Sequence, residues 1–114
     1  EYRWQTDPSN PKRPVRGTVL SNLKDFLTLK RSNPRAAYGS SDKPFIGKGN
    51  FANAIPGLAH AHLSFDLSIV YKIEGGTLYL YGIYSHDQLG TGQPAKVNVQ
   101  KSMAQKFSHM NFTE

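Results

Sequence analysis

The chain has 114 residues, no cysteine and a formal net charge of +6 at neutral pH. That length fits one domain, 1–114, with a core large enough to fold without staples, and the lack of Cys excludes disulfides, thiolate nucleophiles and Cys-bearing zinc sites together. No apolar run approaches the roughly 20 residues of a membrane span and no strongly basic amphipathic helix stands out, so the charge points to an anionic macromolecule, nucleic acid or an acidic inhibitor protein, and to no membrane.

The sequence opens on Glu1 rather than Met, which suggests a processed chain or a domain cut from a longer one. Residues 1–17 read as an N-terminal strand and loop. Tyr2-Arg3-Trp4-Gln5 alternates aromatic and polar residues as a short edge strand does, and Asp7 to Pro14 carries three prolines and no periodicity. From Thr18 the period changes. Val19, Leu20, Leu23, Phe26 and Leu27 recur at helical spacing, with Asn22, Lys24, Asp25 and Lys30 assigned to the other face, which predicts a helix from a cap at Gly17 or Thr18 to about Arg31. Asn33-Pro34 to Gly39 predicts a second, short helix with Asn33 as N-cap and Gly39 past its end.

Residues 40–58 are rich in Gly, Ser, Asn and Pro and read as loop, with Lys43 and Lys48 among them. Three strand segments follow: Ala59 to Phe65, Leu67 to Ile73 and Thr77 to Ser85. Paired glycines in Glu74-Gly75-Gly76-Thr77 supply the positive φ angles of a tight hairpin, and the preceding turn falls near Ser64 to Leu67. Residues 91–114 form a C-terminal extension with a helix around Val99 to Phe107. The expected class is α+β: an N-terminal helix or helices packed on a small antiparallel sheet with a three-stranded C-terminal meander.

The chemistry lies in the meander. Strand alternation sends Ala61, Leu63 and Phe65 into a core under the first helix and His60, His62 and Ser64 to the other face, with Asp66 at the turn. Simple alternation along the third strand puts Leu78, Leu80, Gly82, Tyr84 and His86 on one parity and Tyr79, Tyr81, Ile83 and Ser85 on the other. A meander returns the end of its third strand to the start of its second, so His86 comes near Asp66. Groups that titrate near neutral pH and converge from separate strands suit paired acid and base work. A solvated polar face is the plainer reading of one such strand, and a two-His, one-carboxylate metal set from His60, His62 and Asp66, with His86 as fourth ligand, is the chemical alternative. No P-loop, dinucleotide fingerprint, zinc-protease or nucleophile-elbow motif is present.

The run Ala61-His62-Leu63-Ser64-Phe65-Asp66-Leu67-Ser68-Ile69-Val70-Tyr71-Lys72 resembles the His, Asp and Tyr-Lys segment of the YafQ-like branch of the RelE/ParE toxins. Thr77 to Leu89, ending Tyr84-Ser85-His86-Asp87-Gln88-Leu89, is similar to the last strand of that family. The likeness is sharp over residues 58–90 and topological over 1–57. It implies a cytoplasmic bacterial toxin, a metal-independent endoribonuclease needing no cofactor, that is neutralised by a cognate antitoxin. The RNA's own 2′-hydroxyl attacks and leaves a 2′,3′-cyclic phosphate. By position the resemblance makes His62, Asp66 and His86 catalytic, with His86 as general acid and Asp66 or His62 as base, and His60 in place of the family's upstream His. Lys43, Lys48 or Lys72 would supply the cation for the charged phosphorane. Leu67 stands where these toxins carry Trp, and Gly90 where an aromatic follows the last Leu, which leaves base stacking to Tyr84 or Phe51. The extra termini suit a related setting on the same fold, the C-terminal tRNase domain of a delivered effector held by an immunity protein. Messenger RNA on the ribosome and tRNA are thus both open as substrates. A ParE-like gyrase inhibitor without ribonuclease activity, and a nucleic-acid-binding module that uses Tyr79 and Tyr81 as stacking platforms, are the readings from other classes.

Overall fold

The computed structural model describes residues 2–4, 18–40, 42–45, 51, 54–64, 66–92 and 94–112. The loop expected over 7–14, the cap at Gly17, and Lys48 and Phe65 lie outside these residues. The fold is α+β. The first strand, β1 (Tyr2–Trp4), and the helix α1 (Thr18–Ser32) fall where the sequence predicts them.

The buried stripe of α1 carries Leu23 and Phe26, with Val19 and Leu27 partly covered, while Leu20 stays exposed. Two polar residues assigned to the outer face turn inward. Asn22 Nδ2 donates to the Leu63 carbonyl at 2.6 Å, and Lys30 is 5% exposed. Spacing explains both, because Lys30 stands four residues after Phe26 and seven after Leu23, on the stripe itself. Its ammonium meets the Asp42 carboxylate at 2.6 Å, donates to the Ala36 carbonyl at 2.6 Å, and lies 5.1 Å from the centre of the Tyr71 ring. The Tyr71 hydroxyl and the Tyr38 backbone N–H also donate to Asp42. A buried charge persists only with this degree of pairing.

The second helix does not form. Residues 33–40 are turns and bends: Asn33 Oδ1 accepts from Arg35 N and the Asn33 carbonyl from Ala36 N. Lys30 and Asp42 take the Ala36 carbonyl and the Tyr38 N–H that a helical ladder would have used. Gly39, at φ 78°, ends the turn.

The sheet has five strands in the order β1-β5-β4-β3-β2. A two-residue strand inside the expected loop, β2 (Lys43–Pro44), pairs antiparallel with β3 (Ala59–His62). The meander continues through β4 (Leu67–Glu74) and β5 (Thr77–Ser85), and β1 pairs parallel with the outer edge of β5. Gly75 and Gly76, at φ 58° and 76°, make the hairpin turn the sequence predicts.

Simple alternation fails in β5. Val70 pairs with Gly82 and Tyr71 with Leu80, so Tyr81 is an extra residue, a β-bulge. Gly82 takes φ 126°, and a Cβ there would meet the Tyr84 hydroxyl at 2.7 Å. The bulge moves Tyr84 onto the face of Tyr79 and Tyr81 and returns Ile83 to the face of Leu78 and Leu80.

Each face of the sheet therefore has its own core. Beneath α1 lie Ala59, Ala61, Leu63, Ile69, Tyr71, Leu78 and Leu80. On the opposite face Phe51, Ile55, Leu58, Val70, Tyr81, Tyr84 and Leu89 are covered by Ala104 and Phe107. Those two residues come from a C-terminal helix, preceded by a short one: α2 (His86–Leu89) and α3 (Val97–Ser108). Phe107 is 1% exposed, and truncating a buried Phe costs about 3–5 kcal/mol. The C-terminal extension is thus part of the folded core. Among the described residues no helix is long and apolar enough to cross a membrane.

Candidate functional site

The site forms where the β3–β4 turn meets the end of β5. The Leu67 carbonyl accepts from the N–H groups of Leu63 and Ser64, and Ser64 Oγ accepts from Leu67 N, which closes the turn that carries Asp66. Pairing of Leu67 with Ser85 then puts Asp66 beside the residue after β5. That residue is His86, the first of α2. A capping box fixes its backbone: Ser85 Oγ accepts from Gln88 N, and Gln88 Oε1 accepts from Ser85 N. The same carboxylate oxygen of Asp66 faces both the His86 backbone N–H, at 3.3 Å, and His86 Nδ1, at 3.2 Å. Asp66 thereby sets the direction of the His86 ring through Nδ1.

His62 lies edge-on to His86, with ring centres 5.2 Å apart and planes at 87°. Burial, then the neighbouring His86 and Lys43, push its pKa below the ordinary 6.5. The imidazole is therefore neutral at neutral pH and able to accept a proton. Lys43 sits on β2 opposite His60 and is exposed, so its charge reaches this row of rings.

The other expected site residues divide. His60 lies 6.0 Å from His62, but it stacks on Phe45 at 4.5 Å and 13°, and its Nδ1 is buried without a hydrogen-bond partner. Burial pushes its pKa down, with His62 adding to the shift. His60 thus packs behind the row. Lys72 pairs with Tyr79 near the hairpin end of β4, its ammonium 3.1 Å from Glu74 and 5.6 Å from the centre of the Tyr79 ring. Six residues of strand from Asp66 put it about 20 Å from that carboxylate, which removes it as a cation for a phosphate there.

Tyr84 is corrected as well. It is 4% exposed, packs against Phe107, and its hydroxyl donates to the Tyr81 carbonyl at 2.6 Å. Phe51, the alternative stacking ring, is buried between Phe45 and Phe107. Tyr79 and Tyr81 do not lie under α1. They pack against Phe112, which covers the platforms a sheet-based binding module would need. Among the described residues no three His, Asp or Glu side chains are grouped to hold a metal ion.

One feature of the site had no counterpart in the motif reading. The extension walls an open cleft of about 330 Å³ lined by Asp66, His86, Asp87, Gly92, Pro94 and Lys96. Lys96 Nζ donates to Asp87 Oδ1 at 2.7 Å, and its backbone N–H to the Gly90 carbonyl at 2.9 Å. The sequence signal was present as a lysine after a Gly-Pro-rich stretch. Only the path of the chain brings it beside His86.

No family model matches the chain, and no curated protein matches it. Among solved structures it is similar to a chain of the E. coli DinJ-YafQ complex, with 22% identity over 61% of this chain and 72% of that one and a TM-score of 0.48. A second structure, of the E. coli DinJ-YafQ toxin-antitoxin complex, gives 24% identity over 61% and 71%, also with a TM-score of 0.48. The chain is likewise similar to a copper-bound mutant toxin from Helicobacter pylori, at 23% identity over 60% and 72% and a TM-score of 0.48.

Proposed function

We propose that this chain is a bacterial toxin that cleaves RNA without a metal, by attack of the substrate's own 2′-hydroxyl, and that a cognate antitoxin or immunity protein holds it inactive. The observation that carries the reading is the Asp66–His86–His62 group, in which an oriented imidazole at the edge of a cleft meets a second imidazole of lowered pKa. His62 takes the proton of the 2′-hydroxyl as its oxygen attacks phosphorus. His86, held through Nδ1 by Asp66, acts as the general acid and delivers a proton from Nε2 to the departing 5′-oxygen, and the products are a 2′,3′-cyclic phosphate and a 5′-hydroxyl. Lys43 stabilises the charge that builds on the non-bridging oxygens. Acid and base are thus two histidines from separate strands, one of them oriented by a carboxylate. The net charge of +6 suits both RNA and an acidic inhibitor that covers the same surface. The setting is the cytoplasm of the producing or the target bacterium.

The test is incubation of total cellular RNA and of ribosomes with purified protein in EDTA, comparing wild type with His86→Ala. Discrete fragments ending in 2′,3′-cyclic phosphate, absent with the variant, are expected, and their pattern separates mRNA from tRNA cleavage. Intact RNA in every arm refutes the nuclease reading and leaves gyrase inhibition, assayed by DNA supercoiling, as the next activity on the same fold.

A further inference from the structure

The cleft beside His86 is built half from the meander and half from the extension. Asp66 and His86 form one wall; Gly90, Gly92, Pro94 and Lys96 form the other. Its volume of about 330 Å³ lies at the small end of ligand pockets, enough for one nucleotide splayed from a single strand and too little for a duplex. The far rim carries the Asp87–Lys96 pair. Both side chains are well exposed, at 80% and 53%, and an exposed pair holds weakly and exchanges partners readily. An RNA phosphodiester carries the same single charge as a carboxylate, and a lysine that meets it also releases counterions condensed on the strand.

We propose that this cleft takes the nucleotide flanking the scissile phosphate in single-stranded RNA, and that Lys96 is its positioning residue, leaving Asp87 for the outer phosphate of that nucleotide. The inference rests on the ribonuclease reading of the adjoining histidines. It adds a function for the extension: Gly92, Pro94 and Lys96 complete the substrate site. Asp87 then acts as a latch. It keeps Lys96 at the rim when the cleft is empty and repels the incoming phosphate until Lys96 has crossed over.

The two partners of this pair have opposite predicted effects, whereas a merely structural pair would give effects of one sign. The measurement is binding of a mixed-sequence, single-stranded RNA with 2′-O-methyl riboses, which cannot be cleaved, by fluorescence anisotropy over a range of salt. Lys96→Met should weaken binding roughly 5-fold at low salt and reduce the slope of log K against log salt by about 0.7, the loss of one phosphate contact on a single strand. Asp87→Asn should tighten binding a few-fold. Gly92→Val gives an independent test: its added Cβ meets His86 Cβ at 3.6 Å, an ordinary contact, and its methyl groups should obstruct the cleft and weaken binding while the thermal midpoint holds. The same RNA in a duplex should bind no better to wild type than to Gly92→Val. Wild-type affinity and salt slope retained in both Lys96→Met and Gly92→Val overturn the inference and leave the catalytic reading standing. The predicted pattern without cleavage of ordinary RNA overturns the catalytic reading and keeps the cleft as an RNA site. No binding by the wild type overturns the inference outright.

Discussion

Lys30→Met tests the buried clamp that ties α1 to the sheet and to the strand bearing Lys43. The substitution keeps most of the side chain's volume and its contact with Tyr71, so it removes the charge and little packing. Left behind are an Asp42 carboxylate 2% exposed and an Ala36 carbonyl without its donor. Losing one partner of a buried ion pair costs about 3–5 kcal/mol. Asp42 keeps two donors, the Tyr71 hydroxyl and Tyr38 N–H, which favours the lower end, about 3 kcal/mol. For a chain of this size that corresponds to a fall in thermal midpoint of about 12 °C, at about 4 °C per kcal/mol. Urea unfolding followed by circular dichroism gives the free energy directly, provided the slope with denaturant is unchanged. The double variant Lys30→Met/Asp42→Asn should recover a large part of the loss, because it removes the stranded charge along with its partner. A single-variant loss under about 1 kcal/mol, or a double variant no better than the single, would show that the clamp is not a coupled pair.

Gly82→Ala should destabilise by about 1–3 kcal/mol, since it forces a Cβ into a positive-φ position against the Tyr84 ring; an unchanged denaturation midpoint would contradict the bulge. Lys43→Met should raise the pKa of His62, because the Lys43 charge is among the causes that lower it. A base works only when unprotonated, so wild-type cleavage is lost as pH falls through the lowered value, and in the variant it should be lost at higher pH. An acidic limb that does not move argues against His62 as the base. His60→Phe keeps the stack on Phe45 and removes a buried nitrogen without a partner, so it should preserve cleavage and hold or raise stability near neutral pH. His60 has a lowered folded-state pKa, so its neutral form favours the fold above the unfolded value near 6.5 and this contribution is lost as pH falls through the lowered value. His60→Phe should therefore soften acid unfolding, and a large loss of activity at unchanged stability would return His60 to the catalytic set.

The meander was legible because its signals are local. Two glycines in a row dictate the hairpin, alternation assigns Ala61 and Leu63 to the core, and an antiparallel return brings residue 86 to residue 66 by connectivity alone. What the sequence hid depends on long-range geometry. The bulge at Tyr81 inserts one residue and reverses the parity beyond it, so Tyr84, which simple alternation groups with Leu78 and Leu80, packs on the opposite face with Tyr81. Residue type alone puts Lys30 on the solvent side of α1, and spacing overrides it. Its distances from Leu23 and Phe26 already put it inside, and Asp42, the carboxylate that makes this tolerable, is a loop residue with no periodic mark. Lys72 failed for a simpler reason: a Tyr-Lys pair six residues along a strand from Asp66 must lie at the other end of the sheet.

The extension connects these observations. Without α3, the face carrying Tyr81 and Tyr84 would lie open as an aromatic surface, and a nucleic-acid-binding sheet would be a sound reading of it. With Phe107 seated on Tyr81 and Tyr84 and Phe112 on Tyr81, the open aromatic surface is gone, while His62, His86 and Asp66 stay accessible at the rim. The segment that closes one surface also builds the far wall of the cleft beside the other. Covering the sheet and shaping the site are consequences of one packing event. A substitution that loosens Phe107 should therefore reduce RNA affinity at the cleft as well as stability, although Phe107 does not line it.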